Sequence, residues 1–155
     1  MPPAEISSSS ELLTIERVAV LQRVALFGDV PGHTLVAVAR LLEEVPIEAG
    51  ARIIERGTVE DWLYVVADGR VRVHIGERTL VELGPGAVVG EFAVLAPAPR
   101  SASATALEAT LLLRLRRGPF EELLDDRPEI ARAVISTLAR MLQSVADRGV
   151  ETAEV

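Results

Sequence analysis

GAVVGEFAVLAPAPRSASATA, residues 86–106, is the stretch on which the reading of this sequence turns. It carries one acid, Glu91, and one base, Arg100, nine positions apart among apolar and small residues. Gly90 lets the backbone turn tightly into Glu91–Leu95. If that segment makes about one helical turn, its first N–H groups converge on a pocket suited to an anion. Pro97 and Pro99 stop the turn and stiffen the return. Arg100 then comes back on extended chain, able to pair with a phosphate, and Ser101 can donate its hydroxyl to the same oxygens. A carboxylate only accepts hydrogen bonds, so Glu91 suits sugar hydroxyls. The alternative is a Glu91–Arg100 ion pair that closes the loop, and spacing alone leaves both open. Two charges facing an apolar interior would need a further partner, which favours a ligand.

Outward from this stretch, the chain divides by pattern. Upstream, residues 44–85 alternate short β-branched runs with glycine turns, as in RIIERG, DWLYVVADG, RVRVHIG and RTLVELGPG, and downstream SASATA and TLLLRLRRG continue the grammar. Arg70–Ile75 alternates strictly, which puts Val71, Val73 and Ile75 on one face and Arg70, Arg72 and His74 on the other, solvated one. Asp68-Gly69 and Gly76-Glu77 are read as hairpin turns. Such strands predict a small antiparallel barrel or sandwich. Helical periodicity flanks it: residues 12–25, then 32–42, a helix entered at Pro119, and a last helix from Pro128 with an apolar stripe of Ile130, Val134, Ile135, Leu138, Leu142 and Val145. Residues 1–10, with the Ser7–Ser10 run, are expected to be a flexible lead-in, 11–148 one domain with strands over about 44–117 and C-terminal helices over about 119–147, and 149–155 a polar tail.

Composition narrows the function. The 155 residues are 49% hydrophobic and 3% aromatic, enough for one core built from aliphatic side chains. A net charge of −7 argues against a phosphate-backbone binder. Without cysteine there is no disulfide, zinc–thiolate site or cysteine nucleophile. No apolar run approaches the ~18 residues of a membrane span, and the expected location is the cytoplasm. His33 and His74 lie in no metal-ligand spacing, and no serine stands in a nucleophile elbow, so neither a metal nor catalysis is expected. Glu43-Glu44 and Asp125-Asp126 are read as solvated helix ends. Trp62 and Tyr64 are read as packing the strands against a helix, and Arg114, Arg116 and Arg117 as a guard on an exposed sheet edge.

The order Gly90-Glu91-Phe92-Ala93, a short gap, then Arg100-Ser101-Ala102 resembles the phosphate-binding cassette of cyclic nucleotide-binding domains. These are the modules of bacterial catabolite-activator proteins, the cyclic-AMP-dependent kinase regulatory subunit and nucleotide-gated channels. The similarity runs from about Phe27 to Leu142, through EAGARIIERGTVEDWLYVVADGRVRV and PEIARAVISTLARML. The resemblance implies an α+β fold, an antiparallel β-roll (a double-stranded β-helix, jelly-roll-like) with N- and C-terminal helices. It implies that Glu91 takes the ribose 2′-hydroxyl, that Arg100 takes the cyclic phosphate, and that Ser101 and the amides near Ala93 complete the cradle. It places Val73 and Val88 against base and sugar, and Ser144, Asp147 or Arg148 over the base. The expected ligand is a cyclic nucleotide, cyclic AMP ahead of cyclic GMP. The expected role is a non-catalytic sensor within a larger protein such as a transporter or channel, acting on neighbouring domains or a second subunit, with no direct nucleic-acid contact and a possible homodimer through the last helix. The competing expectation is an interaction module that keeps the fold without the ligand.

Overall fold

A computed structural model describes residues 12–154, with side chains through residue 149. Two N-terminal helices, α1 (Thr14–Leu21) and α2 (Gly32–Ala39), bracket a single 3₁₀ turn at Ala25–Phe27. Ten strands follow: β1 (Glu43–Ile47), β2 (Arg52–Ile54), β3 (Val59–Glu60), β4 (Trp62–Asp68), β5 (Val71–Ile75), β6 (Arg78–Leu83), β7 (Val88–Val89), β8 (Ala98–Pro99), β9 (Ser103–Ala106) and β10 (Thr110–Arg116). Helices α3 (Arg117–Asp126) and α4 (Pro128–Glu154) close the chain.

All pairing is antiparallel, in two four-stranded sheets ordered β1-β10-β4-β7 and β2-β9-β5-β6, and a separate two-stranded β3-β8 ladder. This is the α+β β-roll that the family resemblance implied. The first sheet explains the near-continuous apolar runs LYVV and LLLRL: both of its faces are covered. Leu63, Val65, Leu113 and Leu115 face the helices, where they join Leu21, Leu26, Phe27, Leu35, Val38, Phe120, Ile130 and Val134. Tyr64, Val66 and Leu112 face the roll interior with Ile54, Val71 and Ala104. A one-residue register slip would exchange these two cores, so register is strongly fixed.

Several expectations change at this level. Residues 12–25 form a shorter helix followed by the 3₁₀ turn, because Val24 is extended (φ −79°, ψ 119°) and breaks the ladder. The second helix stops at Ala39. Asp68-Gly69 is a crossover between the two sheets, since β4 and β5 do not pair; Gly76-Glu77 does join the β5–β6 hairpin. Residues 149–154 continue α4, since a lone glycine costs a helix only about 1 kcal/mol and no breaker follows it. At 27 residues the helix is about 40 Å long. The lead-in over 1–10 lies outside the described residues. Glu43 and Glu44 begin a strand instead of ending a helix: Glu43 pairs with Arg114 and Arg116, while Glu44 takes Arg17 at 2.8 Å and the Leu12 amide at 3.0 Å, which ties α1 to the roll.

Trp62 and Tyr64 stack edge to face, 6.4 Å between ring centroids, on the inward side of β4, so they do not meet a helix. Pairing of Arg114 with Tyr64 and Arg116 with Trp62 puts both arginines on that same side, their guanidinium carbons 5.5 and 5.8 Å from the Trp62 ring. They guard no edge, because β10 lies between β1 and β4. His74 lies on the outer face that alternation gave it, yet it is 2% exposed. The Gly76 carbonyl at 2.7 Å from Nδ1 and the Thr105 hydroxyl at 2.8 Å from Nε2 close over the ring, which therefore contributes to β5–β9 cohesion instead of facing solvent.

Candidate functional site

Between the two sheets, at the end where β7 leads into the glycine–proline segment, lies a cavity of about 370 Å³. Its walls include Ile54, Val73 and Val89 from the roll, and Gly90–Ala93 and Arg100–Ala104 from the cassette. The volume falls in the range of small-molecule sites.

The segment after Gly90 is a run of tight turns, with the Ala93 amide on the Gly90 carbonyl at 3.0 Å and both the Leu95 and Ala96 amides on the Phe92 carbonyl at 3.0 Å. The sequence suggested a single helical turn here; the backbone makes a run of hydrogen-bonded turns instead. Among the described residues, the amides of Glu91 and Phe92 donate to no backbone carbonyl, as befits the first positions of such a turn.

Arg100 is 8% exposed. Its backbone is locked to the β2–β3 loop by two bonds, its own amide to the Thr58 carbonyl at 2.8 Å and the Gly57 amide to its carbonyl at 2.9 Å. Its side chain donates from Nε to Glu60 Oε1 at 2.9 Å and from Nη2 to the Trp62 carbonyl at 2.6 Å. The guanidinium lies directly beneath Gly90. A Cβ there would stand 1.6 Å from Nη1 and 2.6 Å from Cζ, and the φ of +72° also selects glycine. Glycine at 90 is thus a condition for arginine at 100 to occupy the cavity wall.

Glu91 does not pair with Arg100. Its Oε1 accepts the Leu26 amide at 2.6 Å, across 65 positions of sequence, from the 3₁₀ turn on the helical side. The acid and the base of residues 86–106 are therefore held by separate partners, and the loop-clasp alternative is not what forms. Each retains capacity toward the cavity: a guanidinium has five N–H donors and a carboxylate two oxygens.

The structure brings Gly90, Glu91, Phe92, Ala93, Arg100, Ser101 and Val73 around one cavity. Val88 is elsewhere. Its pairing with Val65 turns it to the helical core, and Val89, paired with Tyr64, faces the cavity in its place. Ser144 and Arg148 do not reach the cavity walls; they lie on α4 with Thr137, Arg140, Met141 and Val145, joined by an Arg148–Ser144 bond of 3.0 Å, and Asp147 lies between them on the same exposed stretch. Glu60, which the sequence reading missed, orients Arg100 from a two-residue strand opposite Ala98. Only the long-range β3–β8 pairing reveals it. Among the described residues no three His, Asp or Glu gather as a metal site, and no helix is long and apolar enough to cross a membrane.

The sequence model of the family described as "Cyclic nucleotide-binding domain" matches residues 44–127, more than half of the chain. The chain belongs to the cyclic nucleotide-binding domain family. It is 29% identical over 131 residues to the CRP-like cAMP-activated global transcriptional regulator of Mycobacterium tuberculosis, covering 80% of this chain and 58% of the relative. It is 42% identical over 99 residues to the cyclic AMP receptor protein of Thermus thermophilus, covering 61% of this chain and 46% of the relative. The chain therefore spans about half the length of these curated relatives. Among solved structures it resembles the N-terminal domain of a transcriptional regulator from Streptomyces coelicolor A3(2), with a TM-score of 0.77 and 31% identity, covering 83% of this chain and 94% of that one. The family's β-roll and flanking helices are those described above.

Proposed function

We propose that the cavity binds cyclic AMP in preference to cyclic GMP and that the domain is the sensor part of a larger protein, without catalysis of its own. The observation that carries this reading is Arg100, a buried guanidinium fixed in the wall of a ligand-sized cavity beneath a glycine that leaves room for it. The cyclic phosphate is taken by Arg100, the Ser101 hydroxyl and the free amides of the turn near Ala93. Glu91 accepts the ribose 2′-hydroxyl, and Val73 and Val89 wall base and sugar. The preference for cyclic AMP is supported by the names of the two curated relatives, a cAMP-activated regulator and a cyclic AMP receptor.

Helix α4 is the element placed to report occupancy. Its first turns are held in the core by Ile130 and Val134, whereas Leu142 and Val145 are 71% and 56% exposed. In this reading the distal half moves over the bound base, bringing Ser144 and Arg148 toward it, or pairs with a second copy. A ligand shifts that equilibrium only by its differential affinity for the closed arrangement. The test is calorimetric titration of the chain with both nucleotides, alongside Arg100→Ala. Tighter binding of cyclic AMP, weakened at least about thirtyfold in the variant, is expected from loss of a buried charged contact. A folded, nucleotide-free protein that gives no heat with either nucleotide overturns the proposal and leaves the fold as an interaction module.

A further inference from the structure

The acid assigned to the ribose is already engaged, by a group that lies outside the cassette. The Leu26 amide donates to Glu91 Oε1 at 2.6 Å, a hydrogen bond assisted by the charge of the carboxylate. Leu26 is fully buried in the helical core, within the 3₁₀ turn Ala25–Phe27, and that turn is itself fixed. Phe27 stacks edge to face on Phe120 of α3 at 5.8 Å, and Asp29, just beyond the turn, takes Arg140 of α4. The donor is thus a rigid one, and it comes from an element in contact with both C-terminal helices.

A carboxylate has two oxygens. Oε1 is taken by Leu26, and among the described residues Oε2 has no hydrogen-bond partner. We infer that the Leu26 amide is a positioning group for nucleotide binding: it holds Oε1 of Glu91 so that Oε2 is presented to the ribose 2′-hydroxyl, and the bond persists in the complex. An unanchored glutamate would spend its rotamer freedom on binding, whereas this one has lost it on folding. The same bond places the nucleotide one hydrogen bond from the 3₁₀ turn, so occupancy at the ribose loads an element packed against α3 and α4. The inference rests on the assignment of Glu91 to the ribose.

The test replaces the Leu26 amide by an ester in the full chain, made by ligation with the α-hydroxy analogue of leucine at position 26. This deletes the N–H and keeps the buried side chain. Binding of cyclic AMP and of 2′-deoxy cyclic AMP is then compared in the native chain and in the ester. Cyclic AMP is expected to weaken about five- to thirtyfold in the ester, the cost of re-immobilising one glutamate, while the 2′-deoxy nucleotide, with no hydroxyl to offer, binds both chains equally. Equal weakening of both ligands, or none, overturns the inference, and tighter cyclic AMP binding does so too, by making the amide a competitor. A native chain that does not distinguish the two nucleotides refutes the ribose assignment itself. A second measurement needs no ester: the Leu26 amide proton should keep its downfield NMR position when cyclic AMP saturates the native chain and lose it in Glu91→Ala. Its loss on adding cyclic AMP would mean that the carboxylate leaves Leu26 to bind, against the inference.

Discussion

Gly90→Ala tests the central geometric claim, that the arginine occupies the cavity wall only because residue 90 lacks a side chain. Two costs add at this position. The left-handed φ of +72° costs a non-glycine residue about 1–2 kcal/mol. In addition, the new Cβ would lie 1.6 Å from Arg100 Nη1, so the guanidinium must leave the site where Glu60 and the Trp62 carbonyl hold it. Breaking a buried ion pair outright costs about 3–5 kcal/mol, and a guanidinium that finds partial replacement partners loses about 2 kcal/mol of that. The expected total is about 3–4 kcal/mol, or a Tm lower by about 10 °C for a domain of this size. Gly50→Ala is the matched control: its φ is +82°, and nothing lies within 4 Å of the added Cβ. It should lose only the backbone contribution, about 4 °C. Differential scanning calorimetry gives both shifts, and titration with cyclic AMP should show binding abolished in Gly90→Ala and retained in Gly50→Ala. Equal Tm losses in the two variants, with binding intact in both, would refute the argument that the Arg100 guanidinium depends on the missing side chain.

Other outcomes follow from the same geometry. Glu60→Ala leaves a buried guanidinium unpaired and should destabilise by about 3 kcal/mol in urea denaturation, whereas Glu60→Gln, which keeps an acceptor for Nε, should lose less than half of that. Phe27→Ala removes the edge-to-face partner of Phe120 at the centre of the helical core and should cost about 3–5 kcal/mol, read as a lower urea midpoint at unchanged m-value. The hydrogen bond from Arg140 holds the Asp29 carboxyl below its ordinary value of 3.8; desolvation opposes it, and Ser136, the charge of Arg140 and Thr137 add smaller lowering effects. A depressed folded-state pKa contributes stability that is present above that ordinary value and is lost as pH falls through the lower folded value. Native protein should therefore be more stable than Asp29→Asn at pH 7, with the difference shrinking below about pH 4; a difference constant down to pH 2 would exclude the ion pair as its source.

The cassette was legible in the sequence because its chemistry is local. Gly90, Glu91, Arg100 and Ser101 stand within a dozen residues, and a tight turn followed by a proline-stiffened return brings them to one cavity. The inward side of β5 at Val71 and Val73 was legible too, whereas Trp62 and Tyr64 on β4 were assigned to the helix side and face the roll interior. Val88 and Val89 are adjacent valines that no pattern separates. Their pairing with Val65 and Tyr64 sends one to the helical core and the other to the cavity. His74 was placed on the correct face and given the wrong exposure, because the Thr105 hydroxyl that helps bury it comes from a strand 31 positions away.

The sequence by itself determined the class of the fold and the acid and base that come to one cavity, since hydrophobic period, glycine placement and the order of one acid and one base are properties of neighbouring residues. Only the tertiary structure decided who holds those two charges. Glu60 reaches Arg100 through the pairing of two-residue strands, and the Leu26 amide reaches Glu91 across 65 positions from a 3₁₀ turn packed on the last helices. The physical reason is that a buried charge must be met by whatever polar group the completed core places beside it. That placement is set by how the two sheets and four helices close on one another, which no local pattern encodes.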